Sequence, residues 1–235
     1  MREPVQAVLF DMDGTLVETE QHWGTALFEL AGRLGGRLSD AARESTVGTS
    51  MRTSMTLVHA DLGITRSELE LLADARWVED RAAELIDSEI VWRPGARELI
   101  EDVRAAALPT ALVTTTPRAV AELVLGRIQA AFADLPPFDV TVCGDEVSAR
   151  KPDPAPYQQA MAALGVEAAG CVVVEDSLVG VTAGLAAGAA VLGVPSLQAL
   201  ESAPGLVLRD SLAGVGLAEL REVLMTRQLA DAVLG

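Results

Sequence analysis

Four short segments carry side chains of the kinds that move protons and hold ions. The first is Asp11-Met12-Asp13-Gly14-Thr15. Two carboxylates two residues apart project the same way if a strand continues through them. If the chain turns at Asp13-Gly14 instead, they face one substrate from two sides. An Asp-Gly pair alone is an ordinary turn. The four fixed residues of Asp-x-Asp-Gly-Thr, at roughly 5–7% usage each, recur by chance only about once per 10⁵ positions.

The second segment is Thr114-Thr115-Thr116. It offers a strand-end hydroxyl and a helix cap, or an oxyanion contact helped by N–H groups at a helix start. The third is Lys151-Pro152. Arg accounts for 17 of the 18 basic residues, so Lys151 is the sole lysine. It is either an ordinary surface charge or a compact cation retained where Arg would not serve. The fourth is Glu175-Asp176-Ser177, acids that suit a helix N-terminus or a metal. Taken together, Asp11, Asp13, Glu175 and Asp176 make a dense negative cluster, costly unless a cation offsets it. Carboxylates, a backbone carbonyl and waters are the ligand set of Mg²⁺.

Elements must bring these segments to one place. Val5–Phe10, Thr110–Thr114, Phe138–Val142, Cys171–Val174, Ala189–Val194 and Leu206–Leu208 are short, nearly continuous apolar runs, as in parallel strands buried on both faces. Helical patterns lie between them. Ala96–Ala107 sets Leu99, Ile100, Val103 and Ala107 on one face. Pro117–Ala130 follows Thr116 as N-cap, with Pro117 at the first helical position. Pro154–Leu164 repeats this with Asp153, Ser177–Ala187 ends at Gly188, and Leu217–Val233 closes the chain. The alternation predicts an α/β fold with a Rossmann-like, doubly wound parallel sheet. Ligands of such sheets bind beyond the carboxyl ends of the strands, where all four segments fall.

One region breaks the alternation. Gln21–Leu34 carries Trp23, Leu27, Leu30 and Leu34 at helical spacing, and Ser67–Glu70 is a capping box opening a stretch to about Ile86. It is too long for one crossover helix. We expect residues 17–91 to form an all-helical cap inserted into an α/β core of residues 1–16 and 92–235, with hinges at Leu16–Thr19 and Ile90–Pro94.

Composition narrows the partners. A chain of 235 residues that is 50% hydrophobic and 22% charged builds a sizeable core without disulfides or a structural metal. A net charge of −16 repels nucleic acid and anionic lipid, so neither is an expected partner. Cys143 and Cys171 sit in apolar runs and read as buried free thiols. No apolar run approaches the roughly 18 residues of a membrane span. Arg2 and Glu3 lead straight into a short apolar run, unlike a signal peptide. The expected setting is cytoplasmic.

Asp11–Thr15, Thr114, Lys151-Pro152 and Glu175-Asp176-Ser177 resemble the four ordered motifs of the haloacid dehalogenase superfamily. Leu16–Glu20, Arg93-Pro94-Gly95, Asp153-Pro154 and Gly180–Gly188 are similar to its phosphatase and β-phosphoglucomutase branch, which has a helical cap after the first motif. The resemblance implies Asp11 as a nucleophile forming an aspartyl phosphate and Asp13 as acid and base. It implies Thr114, Thr115 and Lys151 on the phosphoryl oxygens. Mg²⁺ would be held by Asp11, the carbonyl of Asp13 and Asp176, with Glu175 as ligand or neighbour. The substrate would be a small phosphorylated metabolite such as a sugar phosphate.

The chain departs from the pattern in the cap. Many relatives have Asp at the position of Glu18 and His at that of Trp23, one residue after His22. Where the β-phosphoglucomutase group has an Arg, this chain has Met51, in Gly48-Thr49-Ser50-Met51, with Arg52 one place later. The first expectation is therefore a Mg²⁺-dependent phosphomonoesterase, and the alternative a phosphosugar mutase. A haloacid dehalogenase would use neither a metal nor Asp13 as acid and base. A phospho-accepting signalling domain needs no helical lid, and a non-catalytic binding protein needs none of the four filled positions. His59, Trp77 and Arg81 read as packing or surface residues.

Overall fold

The computed structural model describes residues 4–86, 90–132 and 136–234, with side chains to residue 230. Arg2 and Glu3 lie outside these. The apolar runs form β1 (Ala7–Phe10), β2 (Thr110–Val113), β3 (Val140–Val142), β4 (Cys171–Glu175), β5 (Ala190–Gly193) and β6 (Leu206–Leu208). They pair in parallel in the order β3-β2-β1-β4-β5-β6. Between β1 and β2 come α1 (Glu20–Arg33), α2 (Asp40–Thr46), α3 (Met51–Asp61) and α4 (Glu68–Ile86). The remaining helices are α5 (Ala96–Ala105), α6 (Arg118–Ala130), α7 (Ala155–Leu164), α8 (Leu178–Ala186) and α9 (Leu217–Leu234).

The strands are apolar throughout because helices cover both faces of the sheet. Val8 and Phe10 of β1, with Val172 and Val174 of β4, pack under α5, α6 and α9. Ala7 and Leu9, with Cys171 and Val173, pack under α7 and α8. Each fully buried Leu or Phe contributes about 1.5–3 kcal/mol. Cys143 and Cys171 are both free and buried, as expected. Among the described residues no helix is long and apolar enough to cross a membrane.

Strand order fixes the site. From β1 the chain steps to β2 and β3 on one side, and β4, β5 and β6 fill the other. The reversal falls between β1 and β4, and the crevice beyond their carboxyl ends is where such sheets bind ligands. Asp11 follows β1 directly and Glu175 ends β4.

The helical insert leaves and rejoins the sheet through one paired neck. Glu18 N–H donates to Val91 O (2.8 Å) and Arg93 N–H to Leu16 O (2.8 Å), and the Arg93 guanidinium meets Glu18 at 3.0 Å. Within the insert α1 packs on α4, and α3 on both α2 and α4. The capping box forms: Ser67 N–H donates to Glu70 Oε2 (2.8 Å) and Glu70 N–H to Ser67 Oγ (3.4 Å). His59 is buried against Asp74 at 3.0 Å, Arg81 pairs with Glu29, and Trp77 lies under Arg33. All three are structural, as expected.

Three helix ends differ from expectation, the simplest being α7, whose N-cap is Pro154 rather than Asp153. α5 stops at Ala105, and Ala107, with φ +54°, is exposed rather than on the buried face. Leu108 N–H closes back on Val103 O (3.2 Å), which ends the helix before Pro109. Thr116 does not cap α6; the N-cap is Pro117, with no side-chain bond. The Thr116 hydroxyl has another partner.

Candidate active site

The four segments meet beyond β1 and β4. Asp11 continues the ladder, its N–H donating to Val174 O at 3.0 Å. The chain then turns at Gly14 (φ +83°), where a Cβ would stand 2.3 Å from Asp176 Oδ2. Only glycine lets the turn close on that carboxylate.

Lys151 lies at the centre, its side chain 1% exposed. Its Nζ donates to Asp11 Oδ1 (2.7 Å), Glu175 Oε1 (2.6 Å) and Val113 O (2.8 Å). An ordinary surface charge is thereby excluded. Burial works to lower its pKa, but Asp11 and Glu175 outweigh it and hold the ammonium charged.

Glu175 is fully buried and bonded at both oxygens. Oε1 also accepts from Tyr157 Oη (2.8 Å), and Oε2 from the N–H groups of Asp176 (3.0 Å) and Ser177 (3.2 Å). A Cβ at Gly180 would fall 1.7 Å from Glu175 Oε1, so the first turn of α8 closes around this carboxylate. Asp176 accepts from Thr15 Oγ1 (3.2 Å) at Oδ1 and from Ser196 Oγ (2.7 Å) at Oδ2.

Asp11, Glu175 and Asp176 each offer an oxygen within 4.8 Å of the others, and all three are buried. Burial, then the charge of Glu175, pushes Asp11 up to about 8 against the pull of Lys151. Burial and the charge of Asp11 push Asp176 well up too. One lysine does not balance three buried carboxylates.

Asp13 is held differently. Its Oδ2 accepts from Thr116 Oγ1 (2.7 Å) and Thr114 Oγ1 (3.2 Å). Its Oδ1 accepts from the Thr19 hydroxyl and from Trp23 Nε1 (3.4 Å). Thr114 Oγ1 also accepts Thr116 N–H at 3.1 Å, which fixes the turn after β2. The Thr115 side chain, half-buried, lines the same cavity as Asp11 and Asp13.

That cavity lies between the helical insert and the sheet. The core contributes Asp11, Asp13, Lys151 and Asp176; the insert contributes Glu20, Trp23, Arg43 and Met51. Sequence reasoning missed Thr19, Tyr157, Ser196, Glu20 and Arg43. Ser196 had a readable signal, since it follows β5 on the same rim as the other segments. Tyr157 gave none, being one apolar-patterned residue in α7.

Comparison with known proteins agrees with this architecture. Residues 5–188 match a family model described as haloacid dehalogenase-like hydrolase. The chain is 32% identical over 185 residues to a phosphorylated carbohydrates phosphatase of Thermotoga maritima, covering 78% of this chain and 82% of that one. A crystal structure of CbbY from Rhodobacter sphaeroides in complex with phosphate superposes with a TM-score of 0.80 at 30% identity, covering 92% of this chain and 99% of that one. The fold is also that of β-phosphoglucomutase from Clostridium difficile, with a TM-score of 0.83 at 23% identity and coverage of 96% and 99%. With its motifs in order around one crevice and a helical insert after the first, the chain belongs to the haloacid dehalogenase-like hydrolases, in their capped phosphatase and β-phosphoglucomutase branch, and is a phosphatase-type hydrolase.

Proposed function

We propose that the chain is a Mg²⁺-dependent phosphomonoesterase that hydrolyses a small phosphorylated metabolite, such as a sugar phosphate, through an aspartyl-phosphate intermediate. The observation that carries this reading is the meeting of Asp11, Asp13, Lys151 and Asp176 at one cavity between sheet and insert.

The donor set fits the metal. Buried oxygens of Asp11 and Asp176, with Glu175 alongside, are hard ligands close enough to share one ion. The upward push on Asp11 and Asp176 marks negative charge that a divalent cation would neutralise. Asp11, Asp176 and the carbonyl of Asp13 would hold Mg²⁺. Glu175 stands beside them as a further ligand or, through its bond to Lys151, as a positioning residue. When bound, the ion supplies positive charge against the repulsion between Asp11 and an anionic phosphate.

The side chains divide the remaining work. Asp11 attacks phosphorus, and the bond to the leaving oxygen breaks in line. Lys151 and Thr115 hold phosphoryl oxygens, while the Thr114 hydroxyl, its one proton directed to Asp13, positions that residue instead. Asp13, oriented by four donors, gives its proton to the departing alkoxide. As a carboxylate it then takes a proton from the water that attacks the aspartyl phosphate, which releases phosphate and restores Asp11. Residues 17–91 act as a cap on the paired neck, admitting substrate and excluding bulk water when closed.

The mutase alternative requires a firm hold on a second phosphate from the cap. Met51 lines the cavity, whereas Arg52 is exposed and forks onto Glu68. Hydrolysis is therefore the better supported outcome.

Phosphate release measured over a panel of phosphorylated metabolites with Mg²⁺ and no bisphosphate activator tests the reading. We expect turnover that EDTA abolishes and that Asp11→Asn lowers by several orders of magnitude. Near-wild-type turnover by folded Asp11→Asn would remove the nucleophile assignment. If β-glucose 1-phosphate becomes glucose 6-phosphate faster than phosphate appears, the mutase takes its place.

A further inference from the structure

The cap side of the cavity carries a device that the reaction above does not use. Glu20 opens α1 and Arg43 lies in α2, and both are buried. Arg43 Nη2 donates to Glu20 Oε2 (2.6 Å) and to Glu20 O (2.8 Å), and Nη1 donates to Thr46 Oγ1 (3.0 Å). The pair is built in from both sides. A Cβ on Gly24 would stand 2.9 Å from Arg43 Nε, so α1 carries glycine in its interior, at a cost in helix propensity, where the guanidinium lies against it. The pair faces the cavity that Asp11 and Lys151 face from the core.

Its charge balance is informative. Among the described residues, Arg43 is the one cation on the cap side of this cavity, and Glu20 neutralises it. Trp23, Leu27 and Met51 add apolar surface beside it. The hydroxyls of Thr49 and Ser54 are bonded to each other at 2.9 Å. Glu20 Oε1 has no protein donor among the described residues, so it is an acceptor open to a ligand. A second phosphate or a carboxylate would meet this carboxylate and find no uncommitted cation. A neutral polyol would donate to Oε1 and lay a face on Trp23, the arrangement that satisfies the wall without leaving a buried charge unpaired.

We propose that the Glu20–Arg43 pair is a specificity determinant that accepts hydroxyls of a neutral, polyhydroxylated leaving group and rejects a second anionic group, so that the substrates are sugar or polyol monophosphates rather than bisphosphates. This rests on the phosphomonoesterase reading and adds to it which leaving groups are taken.

The test compares kcat/KM for fructose 6-phosphate and sorbitol 6-phosphate with that for fructose 1,6-bisphosphate, with p-nitrophenyl phosphate as a minimal substrate. Wild type should favour the monophosphates. Glu20→Gln releases Arg43 toward anions and should raise the bisphosphate-to-monophosphate ratio about tenfold or more, the scale of one removed like-charge contact. Arg43→Gln leaves Glu20 uncompensated and should move the ratio the other way. Opposite shifts of one ratio separate recognition from general loss of structure, which circular dichroism and melting check independently.

If no phosphate is released even from p-nitrophenyl phosphate, the phosphomonoesterase reading itself fails. If that ester is hydrolysed but wild type prefers the bisphosphate or ignores both monophosphates, the specificity proposal alone is overturned. Folded variants that leave the ratio unmoved also overturn it. Should neither variant fold, the wild-type ratio decides.

Discussion

Replacing Lys151 by methionine keeps the unbranched apolar stem, one atom shorter, and removes the charge between Asp11 and Glu175. The lysine is 1% exposed and pairs with Asp11 at 2.7 Å and Glu175 at 2.6 Å. Removing one partner of a buried pair costs about 3–5 kcal/mol, because a charge is left without compensation. Two carboxylates share the loss here, and taking up a proton limits it, so the cost stays near that figure rather than doubling. In a chain of this size each kcal/mol moves Tm by about 2–4 °C. Lys151→Met in EDTA should therefore melt roughly 6–20 °C below wild type. Mg²⁺ should return part of the loss, since it supplies positive charge to the same carboxylates. Adding Glu175→Gln should return part as well. Scanning calorimetry with and without the ion reads all of this. Arg52→Met, which breaks an exposed pair with Glu68, is the control and should leave Tm within error. A fall in EDTA no larger than that control, or a double variant no more stable than Lys151→Met, would refute the claim that this lysine neutralises the cluster.

Asp13→Asn should lower turnover of alkyl phosphates by about 10²–10⁴ and hurt p-nitrophenyl phosphate much less, because that leaving group needs no proton; equal losses would point to a positional role. Burial raises the folded-state pKa of Asp11 to about 8 and also raises that of Asp176. In metal-free protein their contribution to stability is thus present below the unfolded carboxylate pKa of about 4 and lost as pH rises toward 8. The Tm gain on adding Mg²⁺ should accordingly be larger at about pH 8 than at about pH 5, where the ion must displace protons, and an equal or reversed gain would contradict the assignment. Gly14→Ala forces a Cβ to 2.3 Å from Asp176 Oδ2 at a positive φ. It should weaken Mg²⁺ affinity by about 10–100-fold, the scale of disturbed ligand support, as read by calorimetric titration.

The sheet was legible because strands buried on both faces leave a plain trace. Ala7–Phe10 and Cys171–Glu175 have every residue buried, and such runs read as strands without knowledge of their partners. Most of the core side of the site was legible for the same reason, as Asp11, Thr114 and Glu175-Asp176 sit at the ends of such runs, while Lys151 stands a loop beyond β3 and was marked by being the sole lysine. The cap side was not. Glu20 and Arg43 lie 23 residues apart on different helices, and nothing in either sequence neighbourhood announces a pairing made by tertiary packing. Thr116 was misread because a threonine before proline at a helix start fits capping rules, while its actual acceptor, Asp13, lies 103 residues away. The helices α2 and α3 could have been placed from Ser39 and Ser50, whose hydroxyls accept the N–H groups of Ala42 and Thr53.

The solitary lysine has a consequence for labelling chemistry. Acylating reagents need an accessible, unprotonated amine, and Lys151 is buried and held as an ammonium by two carboxylates. No other side chain in the sequence offers a primary amine. Folded protein should thus resist side-chain acylation altogether. Modification at Lys151, located by peptide mass, would then mark only molecules whose cluster has opened, giving a single-residue reporter of how often these buried charges come apart.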